Sequence, residues 1–162
     1  MTIRIEIEDY LKQWFIHDQG GNIPVKLRKG SIESLIFEQF LQPLPKGKTP
    51  DVGTATGLEI IIPTFKLKSP EYYNYLPPEA MKALVKCIRN RFDVVLWETL
   101  HKISPVFQRQ DNLIYAFMEK HGIELTETNW NAIAKRYQRK RNYYLTYERT
   151  KRMKKKRIEN KN

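Results

Sequence analysis

Bases and aromatic rings interleave late in the sequence: Lys135, Arg136, Tyr137, Gln138, Arg139, Lys140, Arg141, Asn142, Tyr143 and Tyr144, followed by Tyr147, Arg149, Lys151 and Arg152. Cations of this kind neutralise phosphates, tyrosines stack on bases, and the amides of Asn and Gln carry the donor and acceptor that read base edges. Of the chain's 29 Lys/Arg and 18 Asp/Glu, 13 and 2 lie from Lys135 onward, which leaves 16 of each sign before it. The whole net charge of +11 therefore sits at one end. A localised positive field concentrates polyanions, whereas an even excess would serve mainly solubility. The expected phosphate contacts are Lys135, Arg136, Arg139, Lys140 and Arg141, extended by Arg149, Lys151 and Arg152. Tyr143 joins them as an aromatic contact, and Asn129, Gln138 and Asn142 are the candidates for base reading.

Other chemistries find less support. The single cysteine, Cys87, excludes an intramolecular disulfide and a multi-cysteine metal site, and it lies in a helical pattern where it reads as a small hydrophobe. His17, His101 and His121 are far apart, have no partner at ligand spacing, and are expected at the surface or at helix ends. Glu6, Glu8 and Asp9 are kept from a common face by strand alternation, and no spacing suggests a catalytic triad. Gly47-Lys48-Thr49 invites a phosphate-loop reading, but Gln42 stands where that loop needs its first glycine and Pro50 obstructs the helix that should follow. No cofactor and no metal is implied. Two alternatives to a non-enzymatic nucleic-acid-binding protein stay open. One is an adaptor whose basic helix binds an acidic protein; the other is a metal-dependent nuclease whose ligands, such as Asp18, Asp51 and Glu59, are gathered by the fold.

The elements that must position the basic stretch follow from periodicity. Ile3, Ile5 and Ile7 alternate with charges and predict a strand; Tyr10, Leu11, Trp14 and Phe15 predict a short helix face. Ile23, Val25 and Leu27 alternate again, with Pro24 confining that strand to an edge or a start. Ser31 is placed to cap a helix with Ile32, Leu35, Ile36 and Phe40 as its buried face. Residues 43–57 are rich in Pro, Gly, Lys and Thr and predict a mobile loop, after which Leu58, Ile60 and Ile62 make a second strong strand. Pro77-Pro78-Glu79 opens a long central helix over 78–103, faced by Met81, Leu84, Val85, Ile88, Phe92, Val95, Leu96, Thr99, Leu100 and Ile103 and stopped by Ser104-Pro105. Trp97 falls outside this face and is read as the mark of a dimer contact.

A helical pair over 111–147 follows, loosely like a helix-turn-helix with Gly122 in the turn, although Met118, Thr128 and Asn131 do not fit the standard pattern and the connection is too long. Trp130, Ile133, Ala134, Tyr137 and Tyr144 share one stripe of the second helix, with Lys135, Arg136, Arg139 and Tyr143 opposite. That helix is expected to pack up to about Tyr137 and then run out alone.

The order of a short isoleucine strand, a Pro/Gly loop, Leu58-Glu59-Ile60-Ile61-Ile62-Pro63, Tyr73-Asn74-Tyr75-Leu76 before a long helix, and Tyr137-Gln138-Arg139-Lys140-Arg141 resembles uncharacterised small basic proteins of phages and mobile elements of Bacteroides-type bacteria. The resemblance implies a setting and transfers no site. The expected fold is α+β: a small mixed sheet with short helices over 1–66, a helical region over 67–147, and a basic tail over 148–162. With 41% hydrophobic residues, no apolar run long enough to span a bilayer and no apolar N-terminal segment, the expectation is a cytoplasmic protein with no membrane partner. Duplex DNA is the expected partner, met by a homodimer.

Overall fold

The fold is α+β, and a computed structural model describes residues 1–49, 56–103 and 110–159. Asp51, the helix stop at Ser104-Pro105, the side chain of Ile103 and the last three residues of the basic tail lie outside the described residues. β1 (Thr2–Ile5) runs antiparallel to β3 (Leu58–Ile61), with Ile3 opposite Ile60 and Ile5 opposite Leu58. This register puts the four buried residues on one face, as alternation requires. The strand expected around Ile23, Val25 and Leu27 shrinks to one parallel bridge between Val25 and Ile60. Val25 N–H donates to the Glu59 carbonyl and Ile61 N–H donates to that of Val25, both at 2.8 Å. Pro24 has no N–H to extend the ladder; Val25 and Leu27 are buried, but Ile23 is exposed. β2 (Gln42–Pro43) and β4 (Tyr73–Tyr75) form a second antiparallel pair. The start of the segment read as a loop and the aromatic connector thus brace each other, with Lys48 Nζ 3.0 Å from Tyr75 Oη.

α1 (Asp9–Asp18) buries Tyr10, Leu11, Trp14 and Phe15, the face expected of it. α3 (Pro78–Ile103) is the spine: Ala80, Leu84, Ile88, Phe92, Leu96 and Leu100 recur every fourth residue and are all buried. Phe92 is the hub, meeting Tyr10 and Trp14 at 5.4 Å and Phe117 at 5.8 Å between ring centroids, each edge-on. Edge-to-face contact suits the ring quadrupole and adds specificity to the apolar burial. α4 (Gln110–Lys120) adds Leu113, Ile114, Phe117 and Met118 to the same core. It ends in a Schellman arrangement: Ile123 N–H donates to Met118 O and Gly122 N–H to Glu119 O. Gly122 has φ +66°, and a Cβ there would stand 2.7 Å from the His17 ring, so both backbone and space demand glycine.

α2 (Ile32–Phe40) corrects the sequence reading. Most of its expected core face is turned outward: Ile32, Leu35 and Phe40 are 59%, 50% and 40% exposed and Ile36 alone of that face packs against the core, while Glu33, Ser34 and Phe37 are buried. The cause lies on α3. Arg91 NH1 donates to Glu33 Oε1 at 2.5 Å and Arg91 NH2 donates to Asp18 Oδ2 at 2.8 Å, with the guanidinium 5.6 Å from the Trp14 ring. A cation held this far inside needs carboxylate partners, and a lost partner costs more than an exposed leucine. Ser31 Oγ caps the helix as expected, accepting from Ser34 N–H at 3.1 Å.

Candidate nucleic-acid interface

The basic stretch lies on α5 (Glu127–Glu159), one continuous helix of 33 residues. At 1.5 Å per residue it is about 50 Å long. Thr126 caps it, its Oγ1 accepting from Asn129 N–H at 3.2 Å. The first three turns belong to the core: Ile133 and Tyr137 are buried, and Trp130, Ala132 and Ala134 pack against them. Trp130 also meets Tyr115 of α4, 6.0 Å between centroids. A shallow groove of ≈ 310 Å³ lies between α4 and α5, edged by Asp111, Asn131, Lys135 and Gln138. The connection over 121–126 keeps the two helices a packed pair without the tight turn of the DNA-reading unit.

The docked face is rotated from the expected stripe toward Asn129 and Arg136, and both leave the set of nucleic-acid contacts. Arg136 Nε donates to Asp93 Oδ1 at 2.6 Å, NH2 to Oδ2 at 3.2 Å, and NH1 to Tyr10 Oη at 3.2 Å. Burial works against its charge, but the hydrogen bonds and charges of Asp93 and Tyr10 together outweigh that and hold the pKa above the usual arginine value. This guanidinium is a fastener between α5, α3 and α1. Asn129 is buried, and its Nδ2 donates to Glu124 O at 3.1 Å and faces Gln13 Oε1 at 3.4 Å. It shapes the helix start and cannot read a base from there. Trp97 is likewise engaged within the chain. It stacks on His101 at 4.3 Å and meets Tyr137 and Tyr144 at 5.9 and 5.4 Å. The dimer contact inferred from it loses its basis.

Beyond Tyr144 the helix leaves the body. Every described residue from Leu145 to Glu159 is exposed except the half-buried Glu148. Lys135, Arg139, Arg141, Arg149, Lys151 and Arg152 are exposed and Lys140 half-buried, and none of these seven has an ion-pair partner among the described residues. The one salt bridge on the arm joins Lys155 to Glu159 at 4.0 Å, again among the described residues. Successive residues turn by about 100°, so Arg139, Lys140 and Arg141 point to three sides of the rod. Tyr143 and Tyr147, 77% and 56% exposed, lie one turn apart on one flank. Gln138 Nε2 approaches Asn142 Oδ1 at 3.4 Å across one turn, so both amides share another face. The Thr146 and Thr150 hydroxyls donate back to the carbonyls of Asn142 and Thr146 and are thereby satisfied.

Among the described residues, the acids considered for other chemistry pair with separate bases. Asp18 pairs with Arg91 and Arg28, Glu59 accepts from Thr2 Oγ1 at 2.7 Å and faces Arg4, and Glu8 pairs with Arg89 at 2.7 Å. Among the described residues no three His, Cys, Asp or Glu gather as a metal site would require. Cys87 is half-buried near Glu33, and burial followed by that carboxylate pushes its thiol pKa up, away from thiolate chemistry. One pairing escaped the spacing argument: His17 and His121 meet at 6.4 Å between rings, with His121 Nε2 buried and unpartnered. Burial first, then Lys120 and His17, lowers the His121 pKa below the ordinary value. No described helix is long and apolar enough to cross a membrane. No family model, no curated protein and no solved structure matches this chain.

Proposed function

We propose that this is a non-enzymatic nucleic-acid-binding protein that engages duplex DNA through the outer part of α5, as a regulator or accessory factor of a phage or mobile element. The observation that carries the reading is that residues 1–134 sum to zero charge while the helix that follows carries the whole excess, most of it on exposed cations without an ion-pair partner among the described residues. Self-repulsion along such a rod is relieved when phosphates replace its counterions. Duplex DNA is favoured over duplex RNA because an exposed helix enters the wide major groove of B-form DNA but not the deep, narrow one of A-form RNA. Arg139, Lys140, Arg141, Arg149, Lys151 and Arg152 take phosphates in this reading, Lys135 sits at the groove beside α4, and Gln138 and Asn142 reach for base edges.

The test is fluorescence anisotropy with duplex DNA, single-stranded DNA and duplex RNA across a salt series. If about five phosphates are engaged, log K falls with log salt at a slope of roughly −4.5. Cutting the chain after Ala134 would strip Arg136 and Tyr137 from the core, so the informative truncation ends at Leu145, past the Tyr144 contact. It should keep its fold and bind duplex DNA more weakly, with a flatter slope. Absence of binding to all three nucleic acids at low salt sinks the proposal, and an acidic protein becomes the partner to seek for the arm.

A further inference from the structure

A second surface is built against the ordinary logic of burial. α2 hides a glutamate and a serine and shows solvent the aliphatic ridge of Ile32 and Leu35. Phe65 and Lys66, in the turn that closes at Lys68, line the same cleft as Leu35, and Leu67 of that turn is 87% exposed. Lys68 ties the turn to the end of α2, its Nζ donating to the Glu38 and Gln39 carbonyls and lying 5.9 Å from the Tyr73 ring. The two apolar walls are therefore fixed relative to each other. Between them runs a cleft of ≈ 710 Å³ floored by Leu27, Ile62 and Pro63. Three lysines, Lys26, Lys29 and Lys66, line it against one acid, Glu38. None of these four has an ion-pair partner among the described residues. A cationic cluster here is not a share of the chain's excess charge, because residues 1–134 sum to zero.

We propose that this cleft is a docking site for an acidic, amphipathic segment of another protein. The apolar ridge supplies the contact area and the three lysines select carboxylates on the segment's flanks. Ile32, one turn from Leu35 on α2, is exposed beside the cleft, and with Leu27, Ile62 and Pro63 lining it the site suits an amphipathic segment better than a small anion. Nucleic acid fits poorly: the lining is mostly aliphatic and its aromatic ring, Phe65, is half-buried, whereas base stacking uses exposed aromatic faces. A second copy of this chain fits poorly too, since pairing the clefts would set the same three lysines against each other. The site is separate from the α5 arm and does not rest on the DNA-binding proposal.

The experiment is a selection of short random peptides displayed against the full chain at physiological salt. Individual binders are then measured by fluorescence anisotropy on the wild type, Leu35→Asp, Ile32→Gln, the pair Lys26→Glu with Lys29→Glu, and the arm pair Arg139→Ala with Lys140→Ala. The altered cleft positions are exposed, and unchanged circular dichroism and urea midpoints establish that each variant is folded. The selected peptides should combine Asp or Glu with Leu, Ile or Phe. They should lose about tenfold or more in affinity on the Leu35 and double-lysine variants and bind the arm variant as they bind the wild type. The inference is overturned if no peptide is enriched, if the enriched peptides lack acids, or if binding follows the arm variant and ignores Leu35→Asp. A Leu35-dependent dimer in sedimentation would overturn it in favour of a second copy.

Discussion

Arg136 and Arg139 lie less than one helical turn apart, yet their surroundings give them different work. Arg136 makes three hydrogen bonds to Asp93 and Tyr10 across two other helices, whereas Arg139 stands in solvent. Arg136→Ala should therefore lower stability in urea by about 2–3 kcal/mol, because it strands the half-buried Asp93, and leave the salt slope of DNA binding unchanged. Arg139→Ala should do the reverse: stability within about 0.5 kcal/mol of wild type, and a slope flatter by about 0.9. The sequence shows both as bases on one helix. It does not show that Asp93, distant in the chain, waits for the first of them, so charge counting found the arm but could not separate its fasteners from its contacts. Asn129 is hidden from sequence reasoning in the same way, its partners Gln13 and Glu124 being visible only in the fold. His121 adds a pH dependence. Its folded pKa lies below 6.5, so between that value and 6.5 the unfolded chain takes a proton that the folded chain refuses. Its contribution to stability is complete above about pH 6.5 and declines as pH falls toward the folded pKa. Thermal melts from pH 7.5 downward should show this decline in the wild type and a smaller one in His121→Leu.

At the scale of elements, apolar periodicity was a sufficient guide wherever the core alone chooses the face. α1 buries the residues its spacing predicts; on α3 Leu84, Ile88, Phe92, Leu96 and Leu100 are buried as expected, while Met81, Val85 and Val95 are half-buried at the edge of the core and Ala80 takes a buried place the spacing did not assign. α2 departs because the choice was made elsewhere, by Arg91 needing Glu33. Glu33→Leu, which looks like a gain of apolar core, should instead cost about 3 kcal/mol, since it leaves Arg91 leaning on Asp18 alone. Leu35→Asp should be nearly neutral to stability. Urea denaturation of the two variants side by side checks the reversal. The junction of α4 and α5 is equally specific. Gly122→Ala forces a side chain into a left-handed backbone and against His17, and should lower stability by about 1–3 kcal/mol in the same assay.

Across the whole molecule, one core cluster reaches from Ile3 to Tyr137, and the residues after Tyr144 stand clear of it. Hydrogen exchange should divide along that line. Amides of α3 should be the slowest and those of the arm fast, and duplex DNA should slow the arm while leaving α3 as it was. The charge asymmetry that announces the arm was plain in the sequence, because net charge is a sum that needs no coordinates. The closure of the core was not, because it joins opposite ends of the chain: Tyr10 to Arg136, and Gln13 Oε1 to the Glu124 N–H at 2.7 Å. That closure bears on how the protein is made. A chain leaves the ribosome from its N-terminus, so α1 must wait for Ile133 and Tyr137 before the body can shut. Translation arrested before those residues would release no smaller version of this protein, only an open chain in which Tyr10, Asp93 and Trp97 still lack the partners that Arg136 and Tyr137 bring.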